Sequence, residues 1–257
     1  MRAVGSATSA GVLVAEGDSW FDYPRRDILK ALEDTFGYDV ETVARAGDRV
    51  ENMAYADGQL DGFVRRIEKV VRSGRLPRAI LLSGGGNDIA GKAFHMFLNH
   101  AGSPSAGINE SVARGVIDER IREAYVDVIA IVTELCRRVA GTVIPIVVHG
   151  YDHPVPDGRG FAGGFAFLPG PWLEPGFRDK GFTNKSANTA LIRTLIDRFN
   201  AMLGGVAALQ GFEHVRYVDL RGTLTTGAKY RDVWANELHP TPRGFDRVTA
   251  KFAAAIP

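Results

Sequence analysis

Short runs of hydrophobic residues alternate with longer amphipathic stretches along almost the whole chain. This alternation predicts an α/β domain built on a parallel sheet. Most of the hydrophobic runs are too apolar for strands with one solvated face, so we expect helices on both faces of the sheet. The predicted strands cover residues 12–15, 39–43, 79–82, 143–148 and 215–218, and the predicted helices cover residues 27–36, 60–73, 118–139, 188–203 and 242–254.

Two longer segments interrupt the alternation. Residues 94–115 are polar and contain Gly and Ser, whereas residues 151–182 are rich in Gly, Pro and aromatic side chains. Long loops in compact domains are usually functional or disordered, and aromatic side chains argue against disorder. We therefore predict one domain over residues 1–257 with two inserted loops, the second of which, the cover segment, lies over a binding cleft. Its aromatic residues include Phe161, Phe165, Phe167, Trp172, Phe177 and Phe182.

The composition narrows the classes of function. The 257 residues include 31 Lys and Arg against 30 Asp and Glu, so the chain lacks the basic excess typical of nucleic-acid-binding proteins. The single cysteine, Cys136, excludes a disulfide within the chain and falls in an apolar helical pattern. No hydrophobic run approaches the roughly 18 residues of a membrane span, and the first run is too short for a signal-peptide core. We expect a cytoplasmic protein without a membrane span.

The residues that follow the predicted strands carry most of the candidate chemistry. In an open α/β sheet, ligands bind beyond the carboxyl ends of the strands, so these residues should meet at one edge. They are Gly17, Asp18, Ser19 and Trp20 after the first strand, Gly47 and Asp48 after the second, Gly85, Gly86, Asn87 and Asp88 after the third, His149, Tyr151, Asp152 and His153 after the fourth, and Trp234, Asn236, Glu237 and His239 after the fifth.

Together, these residues supply the groups needed for acyl transfer to water. Ser19 offers a hydroxyl nucleophile and His239 an imidazole base, because a serine hydroxyl is a poor nucleophile until a base accepts its proton. Gly47 and Asn87 offer N–H donors for the negative oxygen of a tetrahedral intermediate. Each residue also has a plain structural interpretation, as a helix cap, a surface histidine or a turn residue. Their joint placement at successive strand ends favours catalysis.

Four residues beside this set have binding or structural interpretations. Tyr151 and Asp152 are predicted to contact the substrate. Asp18 and Asp48 lie in predicted tight turns, where an aspartate side chain usually accepts backbone hydrogen bonds.

Three local patterns indicate other ligands, but each is incomplete. Residues 86–93 almost match a phosphate-binding P-loop, yet Asp88 would repel phosphate and Ala93 lacks the hydroxyl that binds magnesium. Residues 158–163 match G-x-G-x-x-G outside the strand-to-helix context of dinucleotide binding. Residues 149–153 contain two histidines and an aspartate, whose close spacing fits a pocket wall better than a metal site. We expect neither a metal nor an organic cofactor.

The chain resembles the SGNH, or GDSL-like, hydrolase superfamily across nearly its whole length. Four sequence blocks of that family occur here in order, as Gly17-Asp18-Ser19, Gly47, Gly85-Gly86-Asn87-Asp88 and His239, with Trp20 in the place of the name-giving leucine. The resemblance implies a three-layer α/β/α sandwich with a five-stranded parallel sheet in flavodoxin-like order. It also implies that Ser19 is the nucleophile and His239 the base, and that the oxyanion hole consists of the Ser19 and Gly47 N–H groups and the Asn87 amide.

One position departs from the family pattern. The family has an acidic residue three positions before the base, where this chain has Asn236. An amide oxygen can accept a hydrogen bond from the imidazole but cannot stabilise the imidazolium by charge, and the same change in a serine protease lowers kcat by about 10⁴. The sequence leaves three acceptors open: Asn236, a nearby carboxylate such as Glu237 or Asp232, or a backbone carbonyl.

The sequence therefore indicates a serine hydrolase that cleaves a carboxylic ester. The ester could carry a small acyl group, a lipid chain or an acetylated sugar. The aromatic segment 161–182 would suit an acyl chain or an aromatic ester, and stacking of Phe and Trp on a sugar is equally consistent with it. Two alternatives stay open. One is a binding protein with the same fold that has lost catalytic activity, as indicated by Asn236 in the place of the acid. The other is an acyltransferase, in which an alcohol replaces water in the second step.

Overall fold

A five-stranded parallel sheet forms the centre of the protein. The computed structural model describes residues 9–56, 58–163 and 168–257, so Phe165, Phe167 and the first eight residues lie outside the described part. The strand order is β2-β1-β3-β6-β7, and a separate two-stranded antiparallel sheet pairs β4 with β5. The strands are β1 Val12–Gly17, β2 Asp39–Thr42, β3 Ala79–Ser83, β4 Leu98–Asn99, β5 Gly107–Ile108, β6 Ile146–His149 and β7 Val215–Val218.

Helices enclose the sheet in two layers. Helix α1 packs against α9 on one side, whereas α3 packs against α6, and α6 against α8, on the other. The α-helices are α1 Ile28–Phe36, α2 Val50–Tyr55, α3 Gln59–Arg72, α4 Gly86–Ile89, α5 Glu110–Ala113, α6 Arg122–Ala140, α7 Glu174–Asp179, α8 Lys185–Ala207 and α9 Pro242–Ala253. A π-helical stretch, Arg114–Ile121, joins α5 to α6, and short 3₁₀ turns span Phe94–Phe97, Phe161–Gly163 and Tyr230–Asp232.

The predicted fold class and the flavodoxin-like strand order are confirmed. The fourth predicted strand began too early, at residue 143, whereas β6 starts after Pro145, which has no N–H to donate to a sheet ladder. The fifth strand has the predicted bounds.

The first predicted inserted loop, 94–115, is more ordered than expected and needs correction. Its last residues already belong to the helical stretch that the sequence placed at 118–139. That stretch begins at Glu110, because the Asn109 side chain accepts a hydrogen bond from the Val112 N–H at 3.2 Å and caps the helix. The polar first turn concealed the helix from a search for amphipathic periodicity. The short helices α2, α4 and α7 were not predicted either.

The sheet order places a crevice next to β1. The chain passes from β1 to β2 on one side and then returns to β3 on the other side, and ligand sites form where the order reverses in this way. At the end of β1 the backbone comes very close to β3, since a Cβ atom on Gly17 would lie 2.7 Å from Ser83 Cβ. Only glycine fits there, and the following turn, which carries Ser19, is held against the end of β3.

Candidate active site

The turn that carries Ser19 is held in place by the carboxylate of Asp18. Its Oδ1 accepts hydrogen bonds from the Trp20 N–H at 2.9 Å and the Ser83 hydroxyl at 2.7 Å, and its Oδ2 accepts one from the Tyr151 hydroxyl at 2.5 Å. Ser83 ends β3 and Tyr151 follows β6, so one buried side chain links three strand ends. Asp18 thus has the turn-stabilising role that the sequence indicated.

Ser19 and His239 meet at the end of the sheet. The distance between Ser19 Oγ and His239 Nε2 is 2.7 Å, although the two residues are 220 positions apart in the sequence. Both are buried, and His239 lies just before α9, in the segment 233–240 that has neither helix nor strand. The pair that the sequence proposed is therefore within hydrogen-bonding distance without any movement of the chain.

Asn236 determines which nitrogen of His239 carries the proton. Its Oδ1 accepts hydrogen bonds from the N–H groups of Leu238 and His239, both at 2.9 Å, and its Nδ2 donates to the Tyr23 hydroxyl at 3.1 Å. Since backbone N–H groups can only donate, the amide oxygen must face them, and it lies 3.0 Å from His239 Nδ1. Nδ1 therefore carries the hydrogen, and the lone pair of Nε2 faces Ser19.

The two carboxylates that the sequence left as substitutes for an acid lie elsewhere. Glu237 is fully buried and accepts four backbone hydrogen bonds, from residues 158, 172, 173 and 174, at 2.7–3.1 Å. Asp232 is exposed on a 3₁₀ turn. Among the described residues, the acceptor at His239 Nδ1 is Asn236.

The imidazole of His239 lies between aromatic rings. The Tyr23 ring stacks on it with the ring centroids 4.3 Å apart, and the Trp172 ring meets it edge-on at 5.3 Å. Burial without a charged partner disfavours the imidazolium and lowers the pKa of His239 to about 3. At neutral pH the ring is therefore uncharged and can accept a proton.

The three residues that the sequence suggested for an oxyanion hole, Ser19, Gly47 and Asn87, line one cleft. Gly47 has φ of +94°, a left-handed conformation that suits glycine, and it lines the same cleft as Ser19 and Asn87. Asn87 Nδ2 donates one hydrogen to the Asp48 carbonyl at 2.9 Å, which leaves its second hydrogen for another acceptor. Within the described residues, the backbone N–H groups of Ser19 and Gly47 donate to no protein acceptor.

The space in front of this set, which we call the outer cleft, measures ≈ 340 Å³. Its wall is mainly apolar, and the cover segment supplies much of it. Apart from the candidate catalytic residues, the lining consists of Tyr23, Pro24, Ala46, Phe161, Leu168, Pro169 and Trp172. The described parts of the cover segment therefore border the cleft, while two of its predicted aromatic residues, Phe165 and Phe167, lie outside the described part.

Polar side chains bind the cover segment to the segment that carries His239. Besides the four hydrogen bonds to Glu237, Arg159 donates through Nη1 to the carbonyl oxygens of Trp234 at 3.1 Å and Ala235 at 2.9 Å. The guanidinium of Arg159 is paired in turn with Asp157 at 2.6 Å. The cleft wall and the imidazole are thus parts of one hydrogen-bonded unit.

Tyr151 and Asp152, which the sequence suggested as substrate contacts, are buried and already hydrogen-bonded. The Tyr151 oxygen accepts from the Gly86 N–H at 3.3 Å, besides its bond to Asp18. The Asp152 carboxylate accepts the N–H groups of Gly222 at 2.9 Å and Leu224 at 2.6 Å. Their contact with substrate stays a prediction, since both border a second cavity beside Ser19.

The residues considered for a metal site are satisfied by protein groups. His149 Nε2 lies 2.9 Å from the Ser83 hydroxyl and its Nδ1 lies 2.8 Å from the Gly150 carbonyl. His153 Nε2 lies 2.8 Å from Asp197. In the described ranges, no group of three or more His, Cys, Asp or Glu side chains is arranged to hold a metal ion.

Tyr23 was not predicted from the sequence, and Glu237 was considered there only as a possible acceptor for His239, not as an anchor. Tyr23 stacks on His239 and accepts the hydrogen bond that orients Asn236, and Glu237 binds the cover segment. Tyr23 lies four residues after Ser19, which was a weak local signal. The contacts of both residues depend on chain segments that are distant in sequence, so periodicity and motifs could not reveal them.

A comparison with protein-family models identifies the family of the chain. The GDSL-like lipase/acylhydrolase family model matches residues 3–247. The chain belongs to this family. As a GDSL-like protein it is an ester hydrolase, and the resemblance seen in its sequence blocks is confirmed. No curated relative matches the sequence.

Solved structures with the same fold accompany the family match. Two catalytic variants of an acetylxylan esterase from Geobacillus stearothermophilus superpose with TM-scores of 0.53 and 0.52, at 13% and 12% identity, covering 96% of this chain and 94% of theirs. A candidate SGNH hydrolase from Slackia heliotrinireducens superposes with a TM-score of 0.50 at 13% identity, covering 97% of this chain and 100% of that one. At these identities the comparisons show the shared fold.

In the part of the chain that the structure describes, no helix combines the length and the apolar character that crossing a membrane requires.

Proposed function

We propose that this GDSL-like hydrolase cleaves carboxylic esters with Ser19 as the nucleophile and His239 as the general base. The observation that carries the proposal is the 2.7 Å distance between Ser19 Oγ and His239 Nε2. Because Asn236 engages the proton on Nδ1, the free lone pair of the imidazole is directed at the serine hydroxyl. General-base activation of a serine requires this geometry.

The proposed reaction proceeds through an acyl-enzyme. His239 Nε2 accepts the hydroxyl proton as Ser19 Oγ bonds to the carbonyl carbon, and the carbonyl π electrons move to the oxygen. The N–H groups of Ser19 and Gly47 and the second amide hydrogen of Asn87 donate to that oxygen. The C–O bond to the alcohol then breaks, and the departing oxygen takes the proton from His239. Water attacks the acyl-enzyme with help from the same base and releases the acid.

Asn236 is proposed as the residue that orients His239. When a serine protease carries an amide in place of its acid, much of the loss arises because the imidazole adopts the wrong tautomer. Here two backbone N–H groups and the Tyr23 hydroxyl hold the amide with its oxygen towards Nδ1. The site therefore has the productive tautomer and lacks only the charge that would stabilise the imidazolium.

The lining of the outer cleft supports an uncharged substrate. Its wall around Ser19 and His239 is formed by aromatic, Leu and Pro side chains, without an aspartate, glutamate, lysine or arginine among the described residues. A charged group placed there would lose its hydration without gaining a partner of opposite charge.

The nucleophile assignment is tested with purified Ser19→Ala protein. We expect hydrolysis of 4-nitrophenyl acetate to fall to background and labelling by a fluorophosphonate probe to disappear. Ser111→Ala, which changes an exposed serine on α5, is the matched control and should keep both properties. Unchanged hydrolysis by the Ser19→Ala protein refutes the assignment, and a folded wild-type protein that neither labels nor hydrolyses esters indicates a binding protein.

A further inference from the structure

Two cavities meet at Ser19 and Asn87, because both residues line the outer cleft and also a second space. This second space, which we call the inner chamber, has a volume of ≈ 40 Å³. Its wall is mainly apolar, with side chains that include Trp20, Ile89, Ala90, Leu173, Ile192 and Trp234. An ester carbonyl positioned for attack by Ser19 would therefore have one substituent in each cavity.

The position of His239 decides which substituent enters which cavity. His239 lines the outer cleft, and it is not among the described residues that line the inner chamber. The proposed mechanism needs the imidazole beside the departing alcohol oxygen, since that oxygen takes the proton. The alcohol must then lie in the outer cleft. The acyl chain, on the other side of the carbonyl carbon, is directed into the inner chamber.

The size of the inner chamber limits the acyl chain. The inner chamber is far smaller than the outer cleft, ≈ 40 Å³ against ≈ 340 Å³, so it suits a short acyl chain better than a long one. Leu173, Ile192 and Trp234 are each only 1% exposed and belong to the hydrophobic core, where displacement of a side chain is costly. A longer chain cannot enter without moving the core.

The chamber also discriminates against charged acyl groups. Its two carboxylates, Asp18 and Asp152, accept hydrogen bonds from protein donors, and none of its other lining side chains carries a charge. A free carboxylate carried by the acyl group would thus be buried beside Asp18 and Asp152, without a cation to pair with.

We infer that the protein hydrolyses esters of short, uncharged acids, from acetate to about butyrate, whose alcohol part is bulky and apolar, because the chamber beside Ser19 is small and the cleft beside His239 is large. This inference rests on the proposed function, because it takes Ser19 as the nucleophile and His239 as the group that protonates the alcohol. It assigns the acid to the inner chamber and the alcohol to the outer cleft.

Two ester series test the assignment. With 2-naphthol as the constant alcohol, kcat/KM should be highest for acetate to butyrate and should fall by about 10²-fold at hexanoate, with a further loss at octanoate. With acetate as the constant acid, kcat/KM should rise from the methyl to the benzyl and the 2-naphthyl ester, because only larger alcohols fill the outer cleft. Monobutyl succinate should be hydrolysed more slowly than butyl butyrate.

Two variants of the chamber wall shift the acyl preference in opposite directions. Ile192→Ala enlarges the chamber and should raise the hexanoate-to-acetate ratio of kcat/KM by about 10-fold or more, whereas Ala90→Leu fills it and should lower the butyrate-to-acetate ratio by about 10-fold. Ratios within one variant do not depend on the fraction of protein that folds. Leu168→Ala, in the outer cleft, is the matched control that should alter alcohol preference and leave both acyl ratios unchanged.

The outcomes separate the inference from the proposed function. Ser19-dependent hydrolysis with an optimum at octanoate or longer, or an acyl ratio that neither wall variant changes, overturns the chamber assignment and leaves the nucleophile assignment intact. A wild-type protein that hydrolyses no ester and does not react with the fluorophosphonate overturns the proposed function itself.

Discussion

Two regions of the molecule position the proposed catalytic groups by different means. Ser19 and Asn87 follow β1 and β3, two adjacent strands that are buried along their whole length, so ladder hydrogen bonds determine where the two turns lie. His239 lies in the irregular segment 233–240, whose position depends on the side chains of Asn236 and Glu237. The first region thus has a paired backbone, to which Asp18 adds side-chain support for the Ser19 turn, whereas the second region lacks a strand ladder and depends on a few buried polar groups.

This difference predicts two kinds of mutant. In the region of β1 and β3, removing a functional side chain should remove its chemistry and leave the backbone in place. In the segment of His239, removing a polar side chain that never touches substrate should still impair catalysis, because the imidazole loses its support. Four experiments test this contrast, in order of decreasing expected effect.

Asn87→Ala should lower kcat by about 10²–10³ with little change in KM, since it removes one proposed donor to the oxyanion. Steady-state kinetics with 4-nitrophenyl acetate measures both constants. Asn99→Ala, in the small β4–β5 sheet, is a control that should keep full activity. If the Asn87 variant keeps kcat within about 5-fold of wild type, the amide is not an oxyanion donor.

Glu237→Gln should destabilise the protein by about 2–3 kcal/mol, because an amide NH₂ cannot accept the backbone hydrogen bonds that a carboxylate oxygen accepted. We expect kcat/KM to fall by about 10-fold or more as Trp172 and the cover segment shift. Urea unfolding and kinetics measure the two effects. Glu174→Gln changes a carboxylate in the same segment that, among the described residues, pairs with Arg178 on the protein surface, and it should change neither stability nor kcat/KM by much.

Equal behaviour of the Glu237 and Glu174 variants would contradict the idea that a buried carboxylate holds the second region together.

Tyr23→Phe should lower kcat by about 3- to 10-fold, because the ring still stacks on His239 while Asn236 Nδ2 loses its acceptor. The loss should accompany a change in the imidazole Nδ1–H signal in proton NMR, which a purely structural role for the phenol would leave in place. Tyr55→Phe removes an exposed phenol that bonds to Asp127 and serves as the control. An unchanged imidazole signal with unchanged kcat would show that Asn236 needs no help from Tyr23.

The pH profile should distinguish this site from one with a charged acid. Burial lowers the pKa of His239 to about 3, so the neutral base persists as pH falls and kcat/KM should not decline through the ordinary histidine range near 6.5. In Asn236→Asp, the added carboxylate favours the imidazolium and raises the pKa of His239, so the acidic limb should move to higher pH.

The carboxyl group of Asp88 could also produce an inflection in this pH range, and a variant distinguishes its titration from that of His239. Burial raises the pKa of Asp88 to about 6, and its carboxylate accepts the Val50 N–H at 3.0 Å at the start of α2. An inflection near pH 6 that vanishes in Asp88→Asn belongs to that carboxyl. An inflection near 6.5 that survives in Asp88→Asn contradicts the neutral-base description of His239.

The candidate site was predictable from the sequence to different extents in the two regions. Ser19, Gly47 and Asn87 directly follow strands, and a strand is recognisable from its apolar run, so their convergence followed from the topology of parallel sheets. The role of Asn236 was left open among several acceptors. To identify Asn236 as the group that faces His239 Nδ1, one needs the positions of two backbone N–H groups and of Tyr23, which lies 213 residues from Asn236 in the sequence. No spacing rule encodes such a contact.

The amino-acid sequence by itself determined the fold class, the strand order through the family resemblance, and the residues proposed as nucleophile and base. Hydrophobic periodicity and local motifs are properties of short stretches, so they are legible without coordinates. Only the tertiary structure decided the proton position on His239, the use of Glu237 as an anchor and the unequal cavities on either side of Ser19. These properties arise where segments distant in the sequence pack together and exclude water. The interaction energies involved depend on distances between atoms, which the order of residues along the chain does not contain.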